Sequence, residues 1–385
     1  MRPVIRRVLT TIAATSTATA IAATPQIASA HDHDAFRVTL LVDGTTLRHA
    51  VGSHTEALSK PDDITYAGGR IFVAFQNGVG SQGEASTTGN LNSTIVELRR
   101  DGDVVRQWDI TGKCDGLTAD LGDHRLIATV NEDGSSSLYT VNLDTGDVDH
   151  YTYSIALPSN GGTDAITVYH DRIIVSASAP GTTGGPAAPD ASYPAAYSVT
   201  LHHDTLVADV HSLFSDEATA SVANENASNE GQPVQLGLVD PDSNAAVPED
   251  SPRFAGSFEI TSQGDLQQIF VRHLGQTDES LRVLNLSQSV DDTSWISDAD
   301  DTLYATDSTN DRVVVVRGPF DRNEVLVNAT PCDAGNAPAT CPGPGFPADY
   351  LAQLNLWTGQ VTALEVTGLD LQPSGLLAVS DDSSR

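Results

Sequence analysis

Four segments of the chain share a pattern that could do chemistry: Asp62-x-x-Thr65, Asp115-x-x-Thr118, Asp164-x-x-Thr167 and Asp291-x-x-Ser294. Each aspartate heads a short apolar or β-branched run, so each reads as the start of a strand. If these strands stand side by side with their starts level, four carboxylates meet. They would repel one another unless a cation sat between them or some stayed protonated. Carboxylate oxygens in a wide ring suit a hard cation with a large coordination shell. Calcium is therefore the expected cofactor, with Asp62, Asp115, Asp164 and Asp291 as its ligands. Such a metal could polarise a carbonyl oxygen, and the loops around Asn77, Asn131 and Glu132 would shape a ligand pocket beside it. The plainer use of the same aspartates is to cap turns through backbone N–H groups.

The elements that must position these residues are clearest in residues 113–154. Strand signals at 116–120, 125–130, 137–143 and 148–154 are separated by turn chemistry alone. Four antiparallel strands in about forty residues is the size of one propeller blade. A lone blade cannot bury both faces, so copies are required, and they are expected at about 61–111, 112–157, 161–214, 231–275 and 289–366. The half unit at 367–385 and the lone hairpin at 36–52 then combine into a sixth. The expected fold is all-β, a six-bladed β-propeller occupying 31–385 as one domain. Its last blade is closed by the N-terminal hairpin plus the C-terminal strands, which removes exposed sheet edges. Inner strands run parallel around the channel, so residues at one register form a ring at one mouth. In unit four that position falls on Leu236, and in unit six on Thr367. Residues 215–233 are polar and aperiodic and are expected to form an exposed loop.

Residues 302–313, TLYATDSTNDRV, are similar to the NHL repeat, in which a strand ending in Asp is followed by Asn and Arg before the next strand. Residues 238–244, LVDPDSN, resemble the turn of that repeat, and the match extends over about 291–317. The resemblance implies a secreted six-bladed propeller of the NHL-repeat or gluconolactonase-like (calcium-dependent phosphotriesterase-like) group. That group includes binding modules, lactonase-like and paraoxonase-like hydrolases with an axial calcium, and streptogramin lyases. It implies fold far more than activity.

Composition bounds the partners. The formal charge is -31, and the only lysines are Lys60 and Lys113. This argues against nucleic-acid or anionic-membrane partners. Arginines 2, 6 and 7, an apolar stretch and Ala28-Ser29-Ala30 have signal-peptide order, so residues 1–30 are expected to be removed on secretion. No later segment approaches the ~20 apolar residues of a membrane span. A chain beginning at His31 would place His33 third, a spacing that suits copper through the amine, two amides and an imidazole. In an exported chain Cys332 and Cys341 are expected to pair as a disulfide, leaving Cys114 free. No GxSxG, HExxH, P-loop or EF-hand pattern is present. Three functions follow. One is an extracellular, monomeric binding module for a small molecule, protein or polymer. The others are a metal-assisted hydrolase or lyase of lactonase-like type, and a copper-handling protein.

Overall fold

The computed structural model of the protein describes residues 35–158, 162–180, 192–331 and 349–380. The segment 1–30, the His31/His33 terminus and the Cys332/Cys341 pair lie outside the described residues. Within them the chain forms antiparallel sheets. The first takes Pro61–Ala67, Arg70–Phe75, Asn92–Leu98 and Val104–Thr111, and the second Cys114–Asp120, Arg125–Val130, Ser137–Asn142 and Val148–Tyr153. The third takes Thr163–Tyr169, Arg172–Ala177, Ala196–His202 and Val207–Ser212, and its outer strand pairs in parallel with Val148–Tyr153, so the second and third run together as one eight-stranded sheet. The fourth begins Pro241–Ala246, Phe258–Ser262, Gln267–Arg272, Ser280–Asn285. The fifth is Val290–Trp295, Val325–Ala329, Tyr350–Leu354 and Val361–Ala363. The sixth, from the inside, is Leu376–Val379, Thr302–Asp307, Arg312–Arg317 and Phe36–Asp43.

The inner strands neighbour one another in that order, and Leu376–Val379 returns to Pro61–Ala67, so the sheets close into a propeller ring. Side chains alternate faces along a strand, so a sheet buried on both sides reads as a near-continuous apolar run. In Arg312–Arg317, Val314 and Val316 pack toward the fifth sheet, while Val313 and Val315 pack toward the first. Every interface between neighbouring sheets holds an apolar cluster of this kind. No helix among the described residues is long and apolar enough to cross a membrane.

Three expectations are corrected. The hairpin Thr302–Arg317 belongs to the closing sheet, not to the unit at 289–366. Its inner edge pairs with Leu376–Val379 and its outer edge with Phe36–Asp43. The fifth sheet instead recruits Val325–Ala329, a fully buried strand inside what reads as an insertion. Of the N-terminal hairpin, only Phe36–Asp43 joins the ring, because Arg48–Val51 pairs with His54–Ala57 as a separate ribbon. A Cβ on Gly44 would lie 2.7 Å from the Asp311 carbonyl oxygen, so only glycine lets the chain turn away there. Finally, the stretch at 215–233 is not all loop. Thr219–Val222 adds in parallel to Ser280–Asn285 at the outer edge of the fourth sheet.

The NHL-like element is a structural clasp. The carboxylate of Asp307, fully buried, accepts from Arg312 Nε at 2.9 Å and from the Asn310 backbone N–H at 3.1 Å. The same spacing recurs in the second sheet, where Arg125 Nη2 donates to Asp120 at 2.8 Å.

At every interface a side chain donates to a backbone carbonyl of the next sheet near the level where the inner strands begin. Gln76 Nε2 donates to the Cys114 carbonyl (3.3 Å), Thr129 Oγ1 to that of Asp164 (2.5 Å) and Ser176 Oγ to that of Pro241 (3.4 Å). Ser243 Oγ donates to the Asp291 carbonyl (2.8 Å), Asn328 Nδ2 to that of Ser374 (3.2 Å) and Thr306 Oγ1 to that of Asp62 (2.5 Å). The close approach demands glycine at Gly116, where a Cβ would meet Thr129 Oγ1 at 2.5 Å and the Asp164 carbonyl oxygen at 2.7 Å. Gly116→Ala should therefore lower stability by about 1–3 kcal/mol, the usual cost of overpacking. At Gly122 the nearest atom is 3.5 Å away, and Gly122→Ala should leave the denaturation midpoint almost unchanged.

Candidate functional site: an acidic channel mouth

Five of the six inner strands carry the same irregularity near their start. The pairing slips between Pro61 and Ile64, Cys114 and Gly116, Thr163 and Ile166, Pro241 and Asn244, and Val290 and Thr293. A bulge of this kind leaves a residue outside the ladder and re-aims its side chain. The first aspartates within these slips are Asp62, Asp115, Asp164, Asp242 and Asp291, and Ser374 precedes the sixth inner strand. All six residues line one cavity of about 590 Å³. The structure thus brings the four expected aspartates together and adds Asp242. Leu236, the position expected in unit four, is buried in the apolar layer instead. Thr367 lies in a short outer strand against Phe36–Val38.

Of the three expected ligand-binding residues only Glu132 lines the cavity. Asn77 and Asn131 adopt left-handed backbone, φ 53° and 67°, which asparagine tolerates better than most residues. Their amides are spent on turns. Asn77 Oδ1 accepts from the Ser59 N–H at 3.1 Å, and Asn131 Oδ1 accepts from the Lys113 N–H at 3.0 Å.

With Asp63, Asp133, Asp240, Asp292 and Glu132, ten carboxylates among the described residues line the cavity against one ammonium, that of Lys113. Their repulsion is handled in several ways. The second residues of the two Asp-Asp pairs act as caps reaching the next sheet. Asp63 accepts the backbone N–H of Leu117 at 2.5 Å, and Asp292 accepts that of Leu376 at 2.6 Å. Lys113 Nζ lies 2.8 Å from Asp115 Oδ1 and also binds Glu132 Oε1. Gln76 Nε2 donates to Asp62 Oδ2 at 2.8 Å, and Asn328 Nδ2 donates to Asp291 Oδ2 at 3.0 Å. Asp242 and Asp291 are close enough to perturb one another, and that repulsion adds to burial in disfavouring their charged forms. Asp164 is only 3% exposed, and among the described residues its carboxylate has no hydrogen-bond donor.

Burial and crowding disfavour the charged forms. Burial pushes Asp62 up to about 6 against the pull of Lys113. Burial, then neighbouring carboxylates, holds Asp164 and Asp291 well above the usual carboxylate range. Asp242 is raised for the same reasons. Burial works against the Lys113 ammonium too, but Asp115, Glu132 and Asp62 outweigh it and push its pKa up.

The calcium implied by the family resemblance can be tested against these donors. Among the described residues no group of three or more His, Cys, Asp or Glu side chains is arranged to hold a metal ion. Two of the carboxylates are occupied by backbone amides and one by an ammonium. As they stand, the residues do not fit a calcium shell of six to eight oxygens at about 2.3–2.6 Å.

No protein-family model matches the chain, and no curated protein matches it by sequence. Solved structures with similar architecture include the periplasmic gluconolactonase PpgL of Pseudomonas aeruginosa. It has a TM-score of 0.46 at 11% identity, covering 90% of this chain and 99% of that one. A candidate 6-phosphogluconolactonase from Bacteroides fragilis gives 0.44 at 12%, covering 92% and 100%. The β-propeller domain of Myceliophteria thermophila Cps50 (Swd1) gives 0.37 at 11%, covering 82% and 85%. At these values the likenesses carry no argument about substrate or reaction, and the propeller architecture rests on the strand pairing itself.

The raised carboxyls set a pH dependence. A carboxyl whose folded pKa exceeds its unfolded value binds extra protons in the native state. Its contribution is complete below the unfolded value and is lost as pH rises through the folded one. For Asp62 that window runs from the ordinary 3.8 to about 6. The melting temperature should therefore be higher near pH 5 than at pH 7.5, and Asp164→Asn should flatten the slope. Lys113→Met should act oppositely, lowering stability at pH 7.5 by about 3–5 kcal/mol because it leaves buried carboxylates unpaired.

Proposed function

We propose that the protein is a secreted propeller whose channel mouth binds a small, positively charged ligand. The observation that carries this reading is the cavity of about 590 Å³ in which, among the described residues, ten carboxylates face a single ammonium. That volume lies within the range of small-molecule sites. Low-dielectric walls lined by one sign of charge concentrate counter-ions of the other sign. A bound cation would take over the role that protons and Lys113 play in the mouth. The buried, undonated carboxylate of Asp164 is the group with most to gain. Secretion is supported by the order of charged, apolar and small residues in 1–30.

A second reading is favoured by the Asp242–Asp291 pair. Two carboxyls that perturb one another within a cavity can serve as general acid and base, so hydrolysis of a bound ester or lactone is within their chemistry. A lactone and ester panel, run with and without chelator, checks this. Turnover that survives chelation and is lost in Asp291→Asn supports it, and no turnover on any substrate removes it.

Binding is tested by calorimetry at pH 7.5 with calcium, butylamine, choline and glucose. At least one cation should bind and raise the melting temperature by mass action, and glucose should not. Binding of glucose alone, or of nothing in the panel, would refute the cationic-ligand reading.

A further inference from the structure

The cavity is electrically lopsided. Lys113 serves one side: its ammonium is held between Asp115 and Glu132, both on the second sheet. Among the described residues of the third, fourth and fifth sheets no cationic side chain lines the cavity. There Asp164, Asp242 and Asp291 stand at the same register on three successive inner strands, released by the same bulge. Asp291 is steadied by the Asn328 amide at 3.0 Å, and Asp242 leans on Asp291. Asp164 is 3% exposed and, among the described residues, receives no hydrogen bond on its carboxylate. A buried acceptor left open toward a cavity is costly unless something fills it.

We propose that the ligand's positive group is a primary ammonium, seated between Asp164, Asp242 and Asp291 as the Lys113 ammonium is seated between Asp115 and Glu132. This deepens the cationic-ligand reading and rests on it. Three N–H donors at tetrahedral angles can each reach a different carboxylate. N–H···O contacts to carboxylates span about 2.7–2.9 Å, longer and more adaptable than metal–oxygen bonds. That reach suits an ammonium among carboxylates carried on three successive inner strands. A quaternary ammonium carries the charge without the donors and would leave Asp164 unsatisfied. When the ammonium enters, any proton held by Asp242 or Asp291 is released to solvent, and both carboxylates accept from nitrogen.

The test uses the full chain, with calorimetric titration of butylamine, choline, calcium chloride and a blocked lysine tripeptide at pH 7.5. Butylamine should bind. Asp164→Asn and Asp242→Asn, each confirmed as folded by its melting curve, should weaken that binding about tenfold or more, the worth of a charged hydrogen bond. If one variant fails to fold, the other decides. Choline should bind about tenfold more weakly than butylamine, since it offers no N–H. The tripeptide arm distinguishes sources: binding by the tripeptide but not by butylamine points to a lysine of a polypeptide, and the reverse to a free amine. Choline or calcium binding as tightly as butylamine, or butylamine affinity unchanged in both variants, overturns the ammonium site while leaving the cationic-ligand reading intact. No binding of any cation removes both.

Discussion

The structure depends on how six sheets are sewn together where their inner strands begin. At each interface a hydroxyl or amide donates to a backbone carbonyl of the next sheet, from Gln76 reaching Cys114 round to Thr306 reaching Asp62. A closed ring has no free edge to relax toward, so every interface must satisfy its bond at the same height. The bulges beside these bonds follow from that demand, because an inner strand must bend to bring its carbonyl to its neighbour. Where strands bend together, the residues they release face one another. The acidic mouth is thus a consequence of ring closure as much as of the aspartates themselves.

Gathering carboxylates in this way has an electrostatic cost, and the molecule distributes it unevenly. Asp63 and Asp292 are turned onto backbone amides and serve the fold. Asp115 and Glu132 share an internal ammonium. Asp242 and Asp291 are held toward their protonated forms by burial and by one another, and Asp164 is left with the cavity. Structure and site therefore divide the same residue type between them. The strain that remains sits on one side of the mouth, where a neutral ring would be more stable but would attract nothing. Residues that reduce stability while facing a cavity are the usual mark of a site kept for function.

Much of this could be read from the sequence, and the failures have physical causes. The strands were legible because sheets buried on both faces need apolar runs, and turns need Gly, Asn and Asp. Asp62, Asp115, Asp164 and Asp291 stood out because each is followed by a recognisable strand. Asp242 did not, since Pro241-Asp242-Ser243 has turn composition, and only the bulge makes it the head of a strand. Sequence order alone assigns Thr302–Arg317 to the wrong unit, because adjacency says nothing about which sheet a hairpin joins. In a closed ring the last sheet borrows from both ends of the chain. Lys113 was noticed for its rarity rather than its place. Its position two residues before a ring aspartate was the available signal.

If protons in the mouth balance charge that a bound cation would otherwise neutralise, cation binding must release them. Calorimetric titration of butylamine near pH 6.5, in two buffers of different ionisation enthalpy, measures the protons exchanged on binding. The account predicts net proton release, reduced in Asp242→Asn, because the entering charge lowers the pKa of every nearby carboxyl. Binding with no proton exchange, or with proton uptake, would contradict it.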